Sequence, residues 1–333
     1  ALAVPAHEHP GLFALDDLEA VRTQAGDPYT VFTPFHRTWS RMPRRRTAGA
    51  PRALPPLPAG LDPGAIPELG ELGLSQEVED PMPGGESHAR RRLTRFLADV
   101  DAAYADKRDL LAEDGASRLS PYLHFGCLSP RELEARVASA EFRRQLCWRD
   151  FYAHVLRHFP RNAHSEHQAR YRGTLEWSRA EKRFEAWCEG RTGYPLVDAG
   201  MRQLAREGWM HNRARLVVAS FLTKDLGIDW RWGERWFMRL LLDGDQASNN
   251  GNWQWVASVG VDPQPAFRRM FNPARQAERF DPDGAYVRRY VPELRDGEDG
   301  GEYAKPIVDH ATARQEALAR YRGASRKGVV PKL

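Results

Sequence analysis

Residues 141–160 read EFRRQLCWRDFYAHVLRHFP. No proline or glycine interrupts residues 141–159, and Pro160 closes the run. This predicts one long helix that stops at the proline. Gln145, Trp148, Arg149 and Tyr152 fall at i, i+3, i+4 and i+7, so they share one face. Leu146, Phe151, Val155 and Phe159 lie largely elsewhere on the wheel. A face made of an amide, an indole and a guanidinium makes a poor core. It reads either as the wall of a cavity or as a solvated amphipathic surface.

Helical patterning continues on both sides of this stretch. Upstream, Leu93, Phe96, Leu97, Val100 and Tyr104 fall at helical spacing. Ser129-Pro130-Arg131-Glu132 is a capping box with proline at the first helical position. Downstream, helical runs are predicted over 195–207, ended by Gly208, then over 210–225 and 229–242. Residues 291–304 read as a loop and 305–333 as a short helix with a frayed tail. Strand signals are nearly absent, so 88–320 is predicted to be one all-α domain, with 321–333 as a C-terminal tail. Residues 41–87 hold nine prolines and seven glycines, a composition that sustains neither a helix nor a central strand. They are expected to form a connector that joins two domains or wraps a surface. Residues 1–40 are a short head in which Tyr29–Thr33 reads as one strand.

Composition sets the outer limits. A chain of 333 residues corresponds to about two domains and can bury a large core without disulfide or metal staples. Hydrophobic residues make up 41% and charged residues 28%, a globular balance. The mean hydropathy is −0.63, and no apolar run approaches the ~18 residues of a membrane-spanning helix. Residues 1–10 lack the pattern of a signal peptide. Cys127, Cys147 and Cys188 are odd in number and far apart. They suit neither a disulfide framework nor a zinc site, and a reducing cytoplasm is expected. Net charge is +4, and only six of the 49 basic residues are lysines. Arginine forks suit phosphate and carboxylate partners, although a GC-rich genome would leave the same bias.

Three further stretches carry chemistry. In Gly208–Arg215 (GWMHNRAR), Asn212 and Arg215 sit at i, i+3 and can face one pocket. In Asp243–Trp255 (DGDQASNNGNWQW), amides and glycines are followed by two indoles. A calcium loop is excluded there. Counted from Asp243, its sixth and twelfth places hold Ser248 and Gln254 instead of glycine and glutamate. In Gly115–Leu123 (GASRLSPYL), hydroxyls and free backbone N–H groups before a helix can cradle phosphate.

The motifs RLSPYLHFG, WRDFYAHVLRHFP, RTGYPLVDAGMRQL, GWMHNRARLVVASFLTKDLGIDW, DGDQASNNGNWQW and SVGVDPQPAFRRMFNP, in this order, resemble the photolyase/cryptochrome flavoprotein family. The resemblance runs from about residue 29 to 292 and is strongest to the bacterial branch that repairs cyclobutane pyrimidine dimers. It implies an N-terminal α/β antenna domain, a long connector and a C-terminal all-helical domain that holds a bent FAD. Residues 1–40 then look like a remnant of the antenna domain, so an antenna pigment would belong to a part that is mostly absent.

By resemblance, Tyr104, Ser117, Arg118, Leu119 and Ser120 hold the phosphate side of FAD. Gln145 and Arg149 line its cavity, Arg215 pairs with Asp243 beside the ring, Asp245 belongs to the same shell, and Asn249 faces the flavin N5. Trp148 and Trp255 match the walls that stack on a flipped-out dimer, with Asn212 and Gln145 at the polar edge. Arg213 and Arg108 are expected at the DNA strand. Trp177, Trp230 and Trp253 align with a tryptophan relay that carries electrons to the flavin. No metal is implied, and a monomer is the family expectation.

The chain departs from the pattern at several places. Gln145 stands where dimer-repairing members carry glutamate, Leu216 replaces a methionine, and Ala116 a threonine. His211 stands where (6-4) repair needs a pair of histidines, and three cysteines fall short of the four an iron–sulfur cluster takes. The implied activity is light-driven repair of pyrimidine dimers in DNA. The alternatives are a cryptochrome-like photoreceptor that keeps FAD without repair, and a plain DNA-binding helical module without flavin.

Overall fold

The computed structural model describes residues 9–49, 51–53, 55–262, 264–295 and 303–327. The head's first eight residues, half of the 291–304 segment and the tail beyond 327 lie outside the described residues. Fourteen α-helices follow one another: Phe32–Trp39 (α1), Glu86–Asp99 (α2), Tyr104–Lys107 (α3), Ser120–His124 (α4), Pro130–Arg136 (α5), Ala140–His158 (α6), Glu181–Cys188 (α7), Pro195–Glu207 (α8), Asn212–Ser220 (α9), Trp230–Leu240 (α10), Gln246–Ala257 (α11), Pro273–Phe280 (α12), Ala285–Tyr290 (α13) and His310–Lys327 (α14). Among the described residues, β pairing is limited to two isolated bridges, Arg22 with Pro28 and Ser178 with Ile228. The expected all-α architecture is present.

The helix ends follow sequence chemistry. The Ser139 side chain accepts the Phe142 N–H and starts α6. Asp245 accepts the Ser248 N–H at 2.8 Å and starts α11. Gly208 ends α8 at φ 60°, a left-handed position that glycine occupies without steric cost.

Three apolar clusters hold the helices together. The largest gathers α8 to α11 and α13 around Trp187, Met210, Val218, Phe221 and Trp230. A second joins α2 to α5 with the start of α6. The third packs Ala14, Leu15, Leu18, Val21, Phe32, Phe35 and Trp39 against Phe151, Tyr152 and Val155 of α6. Two glycines allow close approach at the centre. A Cβ at Gly251 of α11 would come within 2.0 Å of the Tyr152 ring on α6, and one at Gly233 of α10 within 2.1 Å of Trp253.

The strand expected at Tyr29–Thr33 is not formed. Helix α1 begins at Phe32, because Phe32, Phe35 and Trp39 form one face that buries against α6. Tertiary burial outweighs the local preference of Thr30, Val31 and Thr33 for extended backbone. The 210–225 run divides into α9 and a π-helical turn over Phe221–Asp225. That turn buries Lys224, whose Nζ donates to Ala257 O at 3.0 Å and Ser258 Oγ at 3.1 Å, closing the C-terminus of α11. Tyr321 OH joins the same knot at 2.9 Å from Lys224 Nζ. The 320/321 boundary therefore falls inside α14, and Tyr321 and Ala324 are core residues. The end of the connector reaches the last turn of α8, where Asp80 N donates to Arg206 O at 2.7 Å.

Candidate functional site

A cavity of about 420 Å³ opens between α3, α4, α6, α9, α10 and α11, within the size range of organic-ligand pockets. It collects Tyr104, Arg108, Ser117, Arg118, Leu119, Ser120, Gln145, Trp148, Arg149, Asn212, Arg215, Asp243, Asp245, Asn249, Trp253 and Trp255. Fourteen of these come from the four separate stretches, and with Tyr104 and Arg108 from upstream all sixteen singled-out residues face one space. The 141–159 face is a cavity wall, not a solvated surface.

The charged wall is organised by one ion pair. The Arg215 guanidinium meets both Asp243 carboxylate oxygens at 2.9 and 3.1 Å, and its Nε donates to Met210 O. Asp243 has only 7% of its side chain exposed, so the pair is what makes its charge tolerable there. Asp245 is engaged in starting α11. Asn249 is oriented from behind, with its Nδ2 donating to Glu234 O at 2.9 Å. Its Oδ1 then remains an acceptor with no donor among the described residues. Glu234 also accepts from Asn250 Nδ2 at 2.9 Å. Burial raises the Glu234 carboxyl above its ordinary range. The carboxamides of Gln145 and Asn212 make no hydrogen bond to any described residue, so both are available to a ligand.

On the opposite wall, Arg118 adopts a left-handed backbone at φ 53°, uncommon for a residue with a Cβ. Its guanidinium pairs with Glu207 at 2.9 Å and lies 4.3 Å from the Trp209 ring centre. Tyr104 stays a neutral phenol, pushed up to about 12 by burial. Desolvation lowers Arg149, whose guanidinium donates to Leu12 O. Trp148 and Trp255 supply apolar plates. Trp255 has the Arg269 guanidinium 4.0 Å from its ring centre. Arg108 reaches Glu141 at 3.1 Å at the margin.

Three residues expected at the DNA strand or in the relay stand outside the cavity lining. Arg213 turns away, pairing with Asp109 at 2.9 Å and lying 4.2 Å from the Phe280 ring centre, with 19% of its side chain exposed. A residue two positions from Arg215 on a helix points to another side. Trp230 is fully buried and Trp177 half-buried. Trp253 lines the cavity, and its ring contacts run to Phe237 at 5.0 Å and Trp187 at 6.2 Å. Two further residues complete the site. Tyr152, on the same α6 face, lines it and donates to Asn252 Oδ1. Glu234 sets the amide pair from α10, and its only sequence signal is a carboxylate within an aromatic-rich helix.

The lining suits a flat, polar-edged ring with an anionic arm. It offers apolar plates, two carboxamides without partners among the described residues, an acceptor at Asn249 and a fixed cation at Arg215. These donor and acceptor types fit a flavin dinucleotide.

Residues 142–300 match the family model described as the FAD binding domain of DNA photolyase. The chain is 41% identical to the deoxyribodipyrimidine photo-lyase of Halobacterium salinarum, over 95% of this chain and 70% of that protein. Among solved structures, it resembles a class III photolyase from Agrobacterium tumefaciens, with 36% identity and a TM-score of 0.80 over 95% of this chain and 72% of that one. It also resembles a cryptochrome from Synechocystis, with 31% identity and a TM-score of 0.80 over 94% and 72%.

Proposed function

The chain belongs to the photolyase/cryptochrome family, and from that premise we propose how its own residues serve light-driven repair of pyrimidine dimers in DNA. It is a deoxyribodipyrimidine photo-lyase that binds FAD. When bound, the flavin supplies the light-excited electron that opens the cyclobutane ring.

The chain's residues bind, orient and exclude water. Arg215 and Asp243 place a paired cation beside the flavin, so that negative charge on the ring is balanced inside a water-poor site. Asn249, held by Glu234 O, would present its Oδ1 to the flavin N5 as an acceptor. Ser117, Leu119 and Ser120 would hold the phosphates, with Tyr104, Arg118, Arg149 and Asp245, also in the lining, completing the shell. A flipped-out dimer stacks on Trp148 and Trp255. Base–aromatic stacking contributes roughly 1–3 kcal/mol per base, which helps to hold the lesion out of the duplex. Gln145 and Asn212 bond its polar edges. An amide both donates and accepts, so Gln145 does not need a protonated partner in the way a glutamate would. Arg108 contacts the strand. Arg213, committed to Asp109, acts by supporting the start of α9.

The relay reading rests on a gradient of depth. Trp253 lines the cavity, Trp230 is buried, and Trp177 is half-buried beneath Arg320 at 5.5 Å.

The observation that carries the proposal is the convergence of both indoles, both free carboxamides and the Arg215–Asp243 pair on one cavity. The test is incubation of the flavin-loaded, reduced protein with a UV-damaged oligonucleotide in blue light and in the dark. Loss of dimers in the light alone is expected. Flavin-loaded protein that leaves dimers intact in the light would favour the photoreceptor alternative.

A further inference from the structure

We propose that Phe32, on α1 outside the cavity, is a positioning residue that fixes the Trp148 indole as a wall for the dimer. The inference rests on the reading of Trp148 as a stacking surface. Phe32 and Trp148 are parallel, with ring centres 3.6 Å apart and planes 2° apart. An indole has two faces. Phe32 covers one and does not line the cavity, whereas Trp148 does. What remains for a ligand is the opposite face, so a bound base would extend an existing stack.

The backing ring is itself immobilised. The edge of Phe151 meets Phe32 at 5.6 Å, the Arg144 guanidinium lies 4.9 Å from its ring centre, and His36 stacks at 5.7 Å. Helix α1 is tied to α6 at both ends. Tyr29 N donates to His154 Nε2 at 3.1 Å, and Trp39 Nε1 donates to an Asp150 carboxylate oxygen at 2.9 Å. A wall residue with free torsions would have to be ordered by each lesion that binds. A wall already stacked on its far side carries no such cost.

The test compares binding of dimer-containing and undamaged DNA by the flavin-loaded full chain. Phe32→Leu should weaken dimer binding about five- to ten-fold, the worth of one aromatic pair. Affinity for undamaged DNA, flavin content and dimer-splitting yield at saturating substrate should stay unchanged. Phe32→Tyr, which keeps the stack, should bind within about two-fold of the parent. In a Trp148→Ala background, Phe32→Leu should add nothing. If Phe32→Leu leaves the protein without flavin, Phe32→Met carries the same expectations. An unchanged dimer affinity in the Phe32 variant, an equal loss on undamaged DNA, or additivity with Trp148→Ala would overturn the proposal while a Trp148→Ala loss leaves the stacking reading intact. Trp148→Ala with full dimer affinity would overturn both.

Discussion

Helix α6 has two polar sides. Towards the cavity it shows Gln145, Trp148 and Arg149, and the Gln145 carboxamide has no partner among the described residues. Towards the N-terminal segment it shows Asp150 and His154, and there the bonding is complete. Asp150 accepts from Ala14 N and Leu15 N at 3.4 Å each and from Trp39 Nε1 at 2.9 Å. His154 accepts the Tyr29 N–H at Nε2, so its proton sits on Nδ1, which donates to Leu18 O at 3.2 Å. Both residues are buried. The same kinds of side chain serve opposite ends. Buried polar groups with full partners hold a segment in place, and those left without partners await a ligand.

The contrast can be broken first at Asp150. Asp150→Ala strands three buried donors and should cost about 3–5 kcal/mol in urea unfolding. A loss under about 1 kcal/mol would show that the clamp is ornamental.

Across the cavity, Arg215→Ala leaves Asp243 nearly buried and unpaired. Unfolding of the flavin-free protein should lose about 2–3 kcal/mol, less than a wholly buried pair would. The purified variant should also retain less FAD, read from its visible absorbance.

The third prediction concerns pH. Burial pushes Asp150 up to about 6, so the folded chain takes up that proton before the unfolded chain does. Its contribution is present below about pH 4 and is lost as pH rises through 6. Burial pushes His154 down to about 4. Its contribution is present above its ordinary value near 6.5 and is lost as pH falls through 4. Between pH 4 and 6 the two slopes oppose each other. His154→Asn should therefore shift the stability slope through this interval toward decline with rising pH, relative to the parent. A slope equal to the parent's would mean that the pair does not act as described.

The smallest effect on folding is expected from Gln145→Ala, under about 0.5 kcal/mol, because no protein bond is lost. Its dimer binding should still fall measurably in a filter or gel-shift assay. A large folding penalty here would erase the distinction between the two sides.

The cavity face of α6 was legible because helical spacing alone puts Gln145, Trp148, Arg149 and Tyr152 together. The clamp was not, since the partners of Asp150 lie 111 to 136 positions away in the chain. The strand at Tyr29–Thr33 was misread for a related reason. Its β-branched residues speak only for themselves, while the surface that recruits Phe32 and Trp39 comes from α6. That Arg213 stands apart from the Arg215 face is legible from its phase, two positions away on one helix, while its pairing with Asp109 is not. The helical form of 246–257 was concealed by Asn and Gly, which favour turns until Asp245 caps the segment and Gly251 is seated against Tyr152.

That seating has a reach beyond packing. Gly251 lies one helical turn before Trp255, and Tyr152 one turn after Trp148. The two indole plates therefore stand at matched offsets from a single point where one helix touches the ring of the other. The close approach of the two helices that carry them depends on an absent methyl group. Alanine at 251 would collide with the Tyr152 ring, so a lineage can alter what the cavity bonds to far more freely than how α6 and α11 meet.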